Sequence, residues 1–308
     1  MDILIDGNYE GMTIREVLFR ELGYSVNLIK KLKFSEGGIF VNGKWVTVRY
    51  VLAHGDVLSL AVEDKPEDVS PYIIPVDLPL EVLYEDEAIT VINKPYDMPS
   101  HPSHGHRLDT AANALAFRYA DRTYVFRPVN RLDRDTSGCM LTANTKDASY
   151  KMYTAMVNGE IRKQYLAVTD GIPAEKSGTI RSFMHRRAES VIEREECDES
   201  LPDAKPAVTE YRVLDERDGH ALLLCSPLTG RTHQIRVQLC GIGCPITGDT
   251  LYGSASPYIA RHALHSYETR FPHPYTGEIM TVTAPIPADV RTLMDACGLR
   301  LPEGKTEN

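Results

Sequence analysis

The chain has 308 residues, of which 43 % are hydrophobic and 25 % charged, and its formal net charge at pH 7 is −9. This composition is typical of a soluble globular protein with one large or two ordinary domains, and no stretch approaches the roughly 18 apolar residues that a membrane-spanning helix needs. The first residues lack the basic start and long apolar core of a signal peptide, so we expect a cytoplasmic protein with no membrane partner.

The acidic net charge is concentrated in two stretches. Residues 63–87 hold nine acids and one base, and residues 189–203 hold seven acids and one base, which leaves a net charge of +5 on the rest of the chain. A nucleic acid is bound by a local basic face rather than by the total charge, so a nucleic-acid partner is not excluded. We expect both acidic stretches to be solvated linker or loop.

Residues 1–61 indicate a small separate module. Thr13 is expected to cap a helix over 14–22, whose apolar residues fall on one stripe. A second helix is expected from about Ser25 to Lys33, and it carries a cluster of three lysines. Alternating apolar residues and an Asn-Gly turn then predict short strands at 39–41, 45–48 and 57–60.

Residues 62–76, rich in acid and proline, indicate a linker, and a second domain is predicted over 77–300. Pattern and capping residues predict its first elements in chain order: strands at 82–84 and 88–92, a helix over 110–119, a strand at 139–142, a helix from Thr145 to about 158, and a strand around Tyr165.

The run NRLDRDTSG at residues 130–138 is the most informative part of the sequence. It places Asp133 beside Arg131 and Arg134, and Arg127 just upstream brings the number of nearby arginines to three. The Thr-Ser-Gly at 136–138 is expected to form a tight turn. A carboxylate beside guanidinium groups stays ionised, which suits an anionic nucleophile. The same residues also fit a surface ion pair worth less than about 1 kcal/mol.

Four further strings follow this run: KQYLAV around Tyr165, TGRTHQIRVQL at 229–239, GDTLYG at 248–253, and ALH at 263–265. In order and content they resemble the RluA-type pseudouridine synthases over about residues 12–290. The pattern FVNGKWV…GDVLSL within 40–60 is similar to the alpha-L RNA-binding module. The resemblance implies an α+β fold: an alpha-L RNA-binding domain at 1–61, and a catalytic domain on a mixed, largely antiparallel β-sheet with flanking helices.

The resemblance also implies the reaction. The enzyme breaks the bond between ribose and N1 of uracil, rotates the base and rejoins the sugar to carbon 5, as an isomerase. This isomerisation involves no redox change and needs no energy input, so no cofactor and no metal are expected. The sequence agrees in having no Walker loop, no Rossmann fingerprint and no HExxH motif.

Residue roles are likewise carried over from the resemblance. Asp133 is expected to be the essential carboxylate, either attacking the anomeric carbon or removing a ribose proton. Arg236 is expected to pair with it, and Tyr165 to stack on the displaced uracil and help remove the proton from carbon 5. Substrate binding is expected from Arg131, Arg231, Thr232 and His233. Asn130 and Gln238, where many relatives have His, are expected to affect substrate contacts.

The expected partner is RNA, with large-subunit ribosomal RNA favoured by the extra N-terminal module and transfer RNA left open. The protein is expected to be a monomer. The alternative is a non-catalytic RNA-binding ribosome-assembly factor on the same scaffold. A carboxylate glycoside hydrolase is a third possibility, but it normally needs two flanking carboxylates.

Overall fold

A computed structural model describes residues 2–22, 24, 26–34, 38–61 and 63–302. The described residues form two β-sheets with six α-helices, one sheet of four strands and one of ten. The predicted α+β class is confirmed. Within this described part of the chain, no helix has both the length and the apolar character needed to cross a membrane.

The smaller sheet belongs to the first 60 residues. Its strands are β1 (Asp2–Leu4), β2 (Ile39–Val41), β3 (Lys44–Trp45) and β4 (Val57–Leu60). They pair antiparallel in the order β1–β4–β2–β3. The sequence prediction missed β1 and made β3 too long.

Two helical segments pack on the smaller sheet. Thr13 caps α1 (Ile14–Glu16) as predicted, because its hydroxyl accepts from the Glu16 N–H at 3.3 Å while its own N–H donates to the Glu16 carboxylate at 2.9 Å. The chain then continues as a π-helical turn over Val17–Glu21, so the prediction of one regular helix over 14–22 is wrong there. The second helix, α2, spans Val26–Phe34, and the predicted start at residue 25 lies outside the described residues.

The larger sheet carries the predicted catalytic region. Its strands are β5 (Glu81–Glu85), β6 (Ile89–Lys94), β7 (Ser137–Ala143), β8 (Arg162–Asp170), β9 (Ser177–Arg186), β10 (Arg194–Cys197), β11 (Lys205–Arg217), β12 (His220–Pro227), β13 (Leu264–Pro272) and β14 (Ile279–Thr283). Their order is β10–β9–β11–β12–β8–β13–β7–β6–β5, with β14 beside β13. The accompanying helices are α3 (Ala111–Arg118), α4 (Lys146–Val157), α5 (Gln234–Gly241) and α6 (Ala288–Ala296).

One parallel pairing interrupts an otherwise antiparallel sheet. The start of β7 runs beside the start of β13, with Gly138 opposite Ser266. A Cβ on Gly138 would lie 2.2 Å from the Ser266 carbonyl oxygen, and the glycine has φ +107°, so this close approach requires glycine. Because Ser266 also faces Tyr165 of β8, this pairing brings the loop before β7 close to Tyr165.

The acidic segment 63–76 packs against the larger sheet and its helices. The Arg127 guanidinium donates to the Asp64 carboxylate at 2.9 Å, and Lys146 lies 3.6 Å from Asp68. The Asn113 amide donates to the Ile74 carbonyl at 2.7 Å. The segment is exposed or half-buried loop apart from one short helical turn, as expected, but Asp64 and Asp68 pair with bases instead of lying free in solvent. The expectation is wrong for part of 189–203, which contributes the edge strand β10.

Candidate active site

A cavity of about 420 Å³ opens where the loop before β7, the middle of β8 and the N-terminus of α5 meet. All seven site residues predicted from the sequence line this cavity: Arg131, Asp133, Tyr165, Arg231, Thr232, His233 and Arg236. These residues span more than 100 positions of sequence, so the fold, not local sequence, brings them together.

Asp133 lies just before a turn that differs from the predicted one. The turn falls on Arg134 and Asp135, and Thr136 closes it by donating its N–H to the Asp133 carbonyl at 3.1 Å. Ser137 and Gly138 already belong to β7, so the prediction of a Thr-Ser-Gly turn is wrong. The positive φ of Gly138 reflects the close approach to β13 described above.

Hydrogen bonds hold this loop on both sides of Asp133. The Leu132 N–H donates to the Ser100 hydroxyl at 3.0 Å, and that hydroxyl donates to the Leu132 carbonyl at 2.7 Å. On the other side, the Thr136 hydroxyl lies 2.9 Å from His262 Nε2. The backbone that carries the carboxylate is therefore fixed in advance of any substrate contact.

Among the described residues, none of the three nearby arginines forms an ion pair with Asp133. Arg127 pairs with Asp64, and Arg134 pairs with Asp135 at 3.1 Å. Arg131 is exposed and lines the cavity. The cationic partner of Asp133 is instead Arg236, whose Nη1 lies 3.5 Å from Asp133 Oδ2.

Arg236 is held mainly by a second carboxylate, Asp249. Its Nε donates to Asp249 Oδ2 at 2.7 Å and its Nη2 to Oδ1 at 2.9 Å, a bidentate pair in which both residues are buried. Burial by itself lowers the pKa of Arg236, but the hydrogen bond and charge of Asp249 raise it above the ordinary value. Asp249 thus keeps the Arg236 guanidinium charged and holds it in place. The remaining nitrogen of Arg236, Nη1, faces Asp133.

His233 and Tyr252 complete this side of the cavity. His233 lies at the N-terminus of α5 with φ 58°, a left-handed conformation uncommon for a side chain with a Cβ. Its Nε2 is 3.9 Å from Asp133, and its Nδ1 is 2.8 Å from the Tyr252 hydroxyl. Burial lowers the pKa of His233, so the ring is neutral at neutral pH.

Tyr165 lies in the middle of β8, where it is 7 % exposed. Burial raises the pKa of its hydroxyl to about 12, so the side chain is a neutral phenol at physiological pH. Its predicted position on a strand is confirmed. The same cavity is therefore lined by the aromatic ring of Tyr165, the carboxylate of Asp133 and the guanidinium of Arg236.

Sequence reasoning missed two supports of the Asp133 loop. Lys94, fully buried at the end of β6, donates to three backbone carbonyls: those of Pro95 at 2.7 Å, Met98 at 2.7 Å and Arg134 at 3.0 Å. Arg261 donates to the Asp135 carbonyl at 2.9 Å and is itself held by Asp289 at 2.7 Å. A lysine ending an apolar run was the available signal for Lys94.

Two sequence expectations about polar residues have different outcomes. Asn130 lines the cavity, as a substrate contact requires. Gln238 is wholly buried and donates to Ser182 and to the Ala207 carbonyl, both at 3.0 Å, so the expectation that it affects substrate contacts is wrong. Among the residues with described positions, no group of three or more His, Cys, Asp and Glu side chains is arranged to hold a metal ion.

Comparison with known proteins agrees with this geometry. The family model described as RNA pseudouridylate synthase matches residues 88–240. A relative from Bacillus subtilis (strain 168), named uncharacterized RNA pseudouridine synthase YjbO, is 40 % identical over 285 residues, which are 92 % of this chain and 98 % of the relative. The chain belongs to the RNA pseudouridine synthase family. It is an isomerase that converts uridine to pseudouridine in RNA.

Two further members of the family extend the comparison. The ribosomal large subunit pseudouridine synthase D of Xanthomonas campestris is 34 % identical over 276 residues, which cover 84 % of this chain and 81 % of that protein. The solved structure of human RNA pseudouridylate synthase domain containing 1 is 28 % identical, with a TM-score of 0.56, and covers 73 % of this chain and 97 % of its own. The predicted RluA-type family and the enzyme class are confirmed.

Proposed function

We propose that this pseudouridine synthase acts through Asp133 in the cavity described above, on uridines of large-subunit ribosomal RNA. The observation that carries the proposal is the convergence of Asp133, Tyr165 and Arg236 on one cavity from three separate elements. A protein that only binds RNA has no need of a carboxylate, a buried phenol and a fixed guanidinium at one point.

Asp133 is the proposed reactive carboxylate. Its side chain is 25 % exposed at the cavity wall, so it is accessible to a ribose presented there. The carboxylate either attacks the anomeric carbon or removes a ribose proton, and both routes begin from the ionised form. Arg236 Nη1, 3.5 Å away, orients the carboxylate.

Tyr165 is the proposed partner of the displaced base. A planar ring stacks on uracil whichever way the base turns, because every orientation of the base presents a π-face. Its neutral hydroxyl is a hydrogen-bond donor and acceptor for the transfer of the proton from carbon 5. Because burial raises the pKa of the Tyr165 hydroxyl, this group keeps its own proton throughout the physiological pH range.

Four residues at the mouth of the cavity are proposed to hold the RNA around the target uridine: Arg131, Arg231, Thr232 and His233. Of these, Arg131 and Thr232 are exposed, and the Arg231 guanidinium is braced by the Pro206 carbonyl at 3.0 Å. A target uridine reaches such a cavity from a loop or after flipping out of a stem.

The first 61 residues are proposed to be the alpha-L RNA-binding domain and to add a second RNA contact. A groove of about 400 Å³ between the α1 turn and α2 is lined by exposed Phe19 and by four basic residues, Arg15, Arg20, Lys30 and Lys33. A tethered second site raises affinity for a large structured RNA. The relative from Xanthomonas campestris named for the ribosomal large subunit supports that substrate.

We further propose that the enzyme works as a cytoplasmic monomer without a cofactor, with domain limits near 61, 76 and 300. The substrate and product are isomers, so the reaction transfers no electrons and consumes no nucleotide. The residues already at the cavity supply an anionic catalyst, a fixed cation and a proton-transfer group.

The test compares the wild type with Asp133→Asn and with a matched control, Asp97→Asn, whose carboxylate is exposed in a neighbouring loop. The substrate is total RNA from a strain lacking the gene; the readouts are pseudouridine by mass spectrometry of digested RNA and the dissociation constant for RNA. We expect Asp133→Asn to form no pseudouridine while its RNA affinity stays within threefold. Binding by the wild type without pseudouridine would support the ribosome-assembly factor instead.

A further inference from the structure

Lys163 lines the same cavity and has no role in the proposal above. It precedes Tyr165 by two residues on β8, and side chains two apart on a strand face the same side. The two residues are about 6–7 Å apart along the strand, a distance that the four-carbon stem of lysine spans. The ammonium therefore reaches a base that stacks on the Tyr165 ring.

Lys163, like Arg131 and Arg231, differs from the two cations of this cavity that pair with a protein carboxylate. Arg236 is neutralised by Asp249 and Arg134 by Asp135. Among the described residues, Lys163 has no carboxylate within ion-pair distance, and burial alone lowers its pKa from the ordinary lysine value. A half-buried cation without a protein anion is stabilised by an anion that arrives with the substrate.

The reaction provides such an anion. When the bond between the ribose and N1 breaks, its electron pair leaves with the base, which becomes a uracil anion with charge on its carbonyl oxygens. When carbon 5 joins the anomeric carbon, that electron pair forms the new bond, the proton on carbon 5 leaves, and N1 regains a proton. The charge on the base exists only between these two steps, so a cation placed against it stabilises the transition states more than the bound substrate.

We propose that Lys163 is a catalytic residue that pairs with the uracil anion during the detachment and rotation of the base. A backbone phosphate is the other anion of the substrate. The exposed Arg131 and Thr232 at the mouth suit the phosphates, whereas Lys163 shares the wall of the cavity with the 7 % exposed Tyr165. This inference rests on the proposed function of the cavity.

The experiment measures single-turnover rates and RNA affinity for the wild type, Lys163→Met, Lys163→Gln and Lys163→Arg, with Lys176→Met as the control, since Lys176 is an exposed lysine paired with Glu216. The RNA is a large-subunit ribosomal RNA transcript whose uridine the wild type converts. We expect Lys163→Met and Lys163→Gln to slow the reaction about 100-fold, the size of effect seen when one oxyanion donor is removed. RNA affinity should stay within threefold, and Lys163→Arg should recover at least tenfold of the loss.

A second substrate separates this role from a structural one. In RNA transcribed with 5-fluorouridine, the fluorine withdraws electrons and stabilises the base anion without help from the protein. The defect of Lys163→Met in breaking the bond to N1 should therefore shrink at least tenfold on this RNA, whereas a folding defect would slow both substrates equally. An unchanged rate with weaker, less salt-dependent RNA binding would assign Lys163 to a phosphate and overturn the proposal. A wild type that forms no pseudouridine would refute the proposed function itself.

Discussion

The Asp249–Arg236 pair offers the sharpest test of how the site is built. In Asp249→Asn, one amide oxygen still accepts from Arg236, but an amide NH₂ now faces a second guanidinium N–H and leaves it unpaired. Both residues are buried, at 1 % and 6 % exposure, and breaking such a pair costs about 3–5 kcal/mol of unfolding free energy. Arg236 also loses its fixed orientation toward Asp133, and a displacement near 1 Å costs roughly 100-fold in rate.

The assay is urea denaturation followed by circular dichroism, because the only tryptophan, Trp45, lies in the smaller sheet. Glu193→Gln is the control: it breaks the exposed Arg187–Glu193 pair and should cost less than about 1 kcal/mol. A loss no larger than that of the control, or an unchanged reaction rate, would refute the view that Asp249 positions Arg236.

This pair also predicts a pH dependence. Burial alone raises the pKa of Asp249, but the hydrogen bond and charge of Arg236 outweigh it and lower the pKa below 3.8. A carboxyl group with a lowered pKa in the folded state stabilises fully above its unfolded-state pKa and loses that contribution as the pH falls. The stability difference between the wild type and Asp249→Asn should therefore be complete near pH 6 to 7 and narrow below about pH 4.

Four further predictions follow from the same structure. Tyr165→Phe keeps the ring and loses the hydroxyl, so the single-turnover rate should fall about 100-fold at unchanged RNA affinity, and the wild-type rate should show no tyrosine ionisation below about pH 10. Lys94→Met leaves three backbone carbonyls without their donor and should lower the unfolding free energy in urea by about 3 kcal/mol or more. Burial lowers the pKa of His265 to about 4, so as the pH falls the imidazole is protonated in the unfolded state before it is protonated in the folded state. The free energy of unfolding should therefore fall between about pH 6.5 and about pH 4, and His265→Gln should make this decline less steep. The basic residues of the N-terminal groove are Arg15, Arg20, Lys30 and Lys33. Replacing them by glutamine should weaken RNA binding and reduce the slope of log affinity against log salt concentration by about 0.7–0.9 per lost phosphate contact. The reaction rate at saturating RNA should stay unchanged.

Local features of the fold were predictable because they depend on neighbouring residues. Thr13 and Thr145 cap their helices as the sequence indicates, since a hydroxyl at that position satisfies the first free N–H groups. The strand position of Tyr165 follows from its apolar neighbours in the same way. Family motifs, not periodicity, identified Asp133 and Arg236 as members of one site.

The errors concern contacts between distant parts of the chain. Gly138 has a positive φ because β13 passes against it, whereas the sequence alone favoured a local turn. The acids of 63–76 were expected in solvent, but Asp64 pairs with Arg127, which is 63 residues away. The role of Asp249 was not predictable, because nothing in a linear sequence shows that its two carboxylate oxygens match the guanidinium of Arg236.

The central claim, that Asp133 makes pseudouridine in ribosomal RNA, is tested most directly by mapping pseudouridines with carbodiimide labelling. Total RNA is compared from three strains: the wild type, a deletion of the gene, and the deletion carrying Asp133→Ala. We predict signals in large-subunit ribosomal RNA that disappear in the deletion and that the Asp133→Ala protein does not restore. Restoration by the variant would contradict the role of Asp133, and an unchanged map in all three strains would contradict the proposed activity on ribosomal RNA.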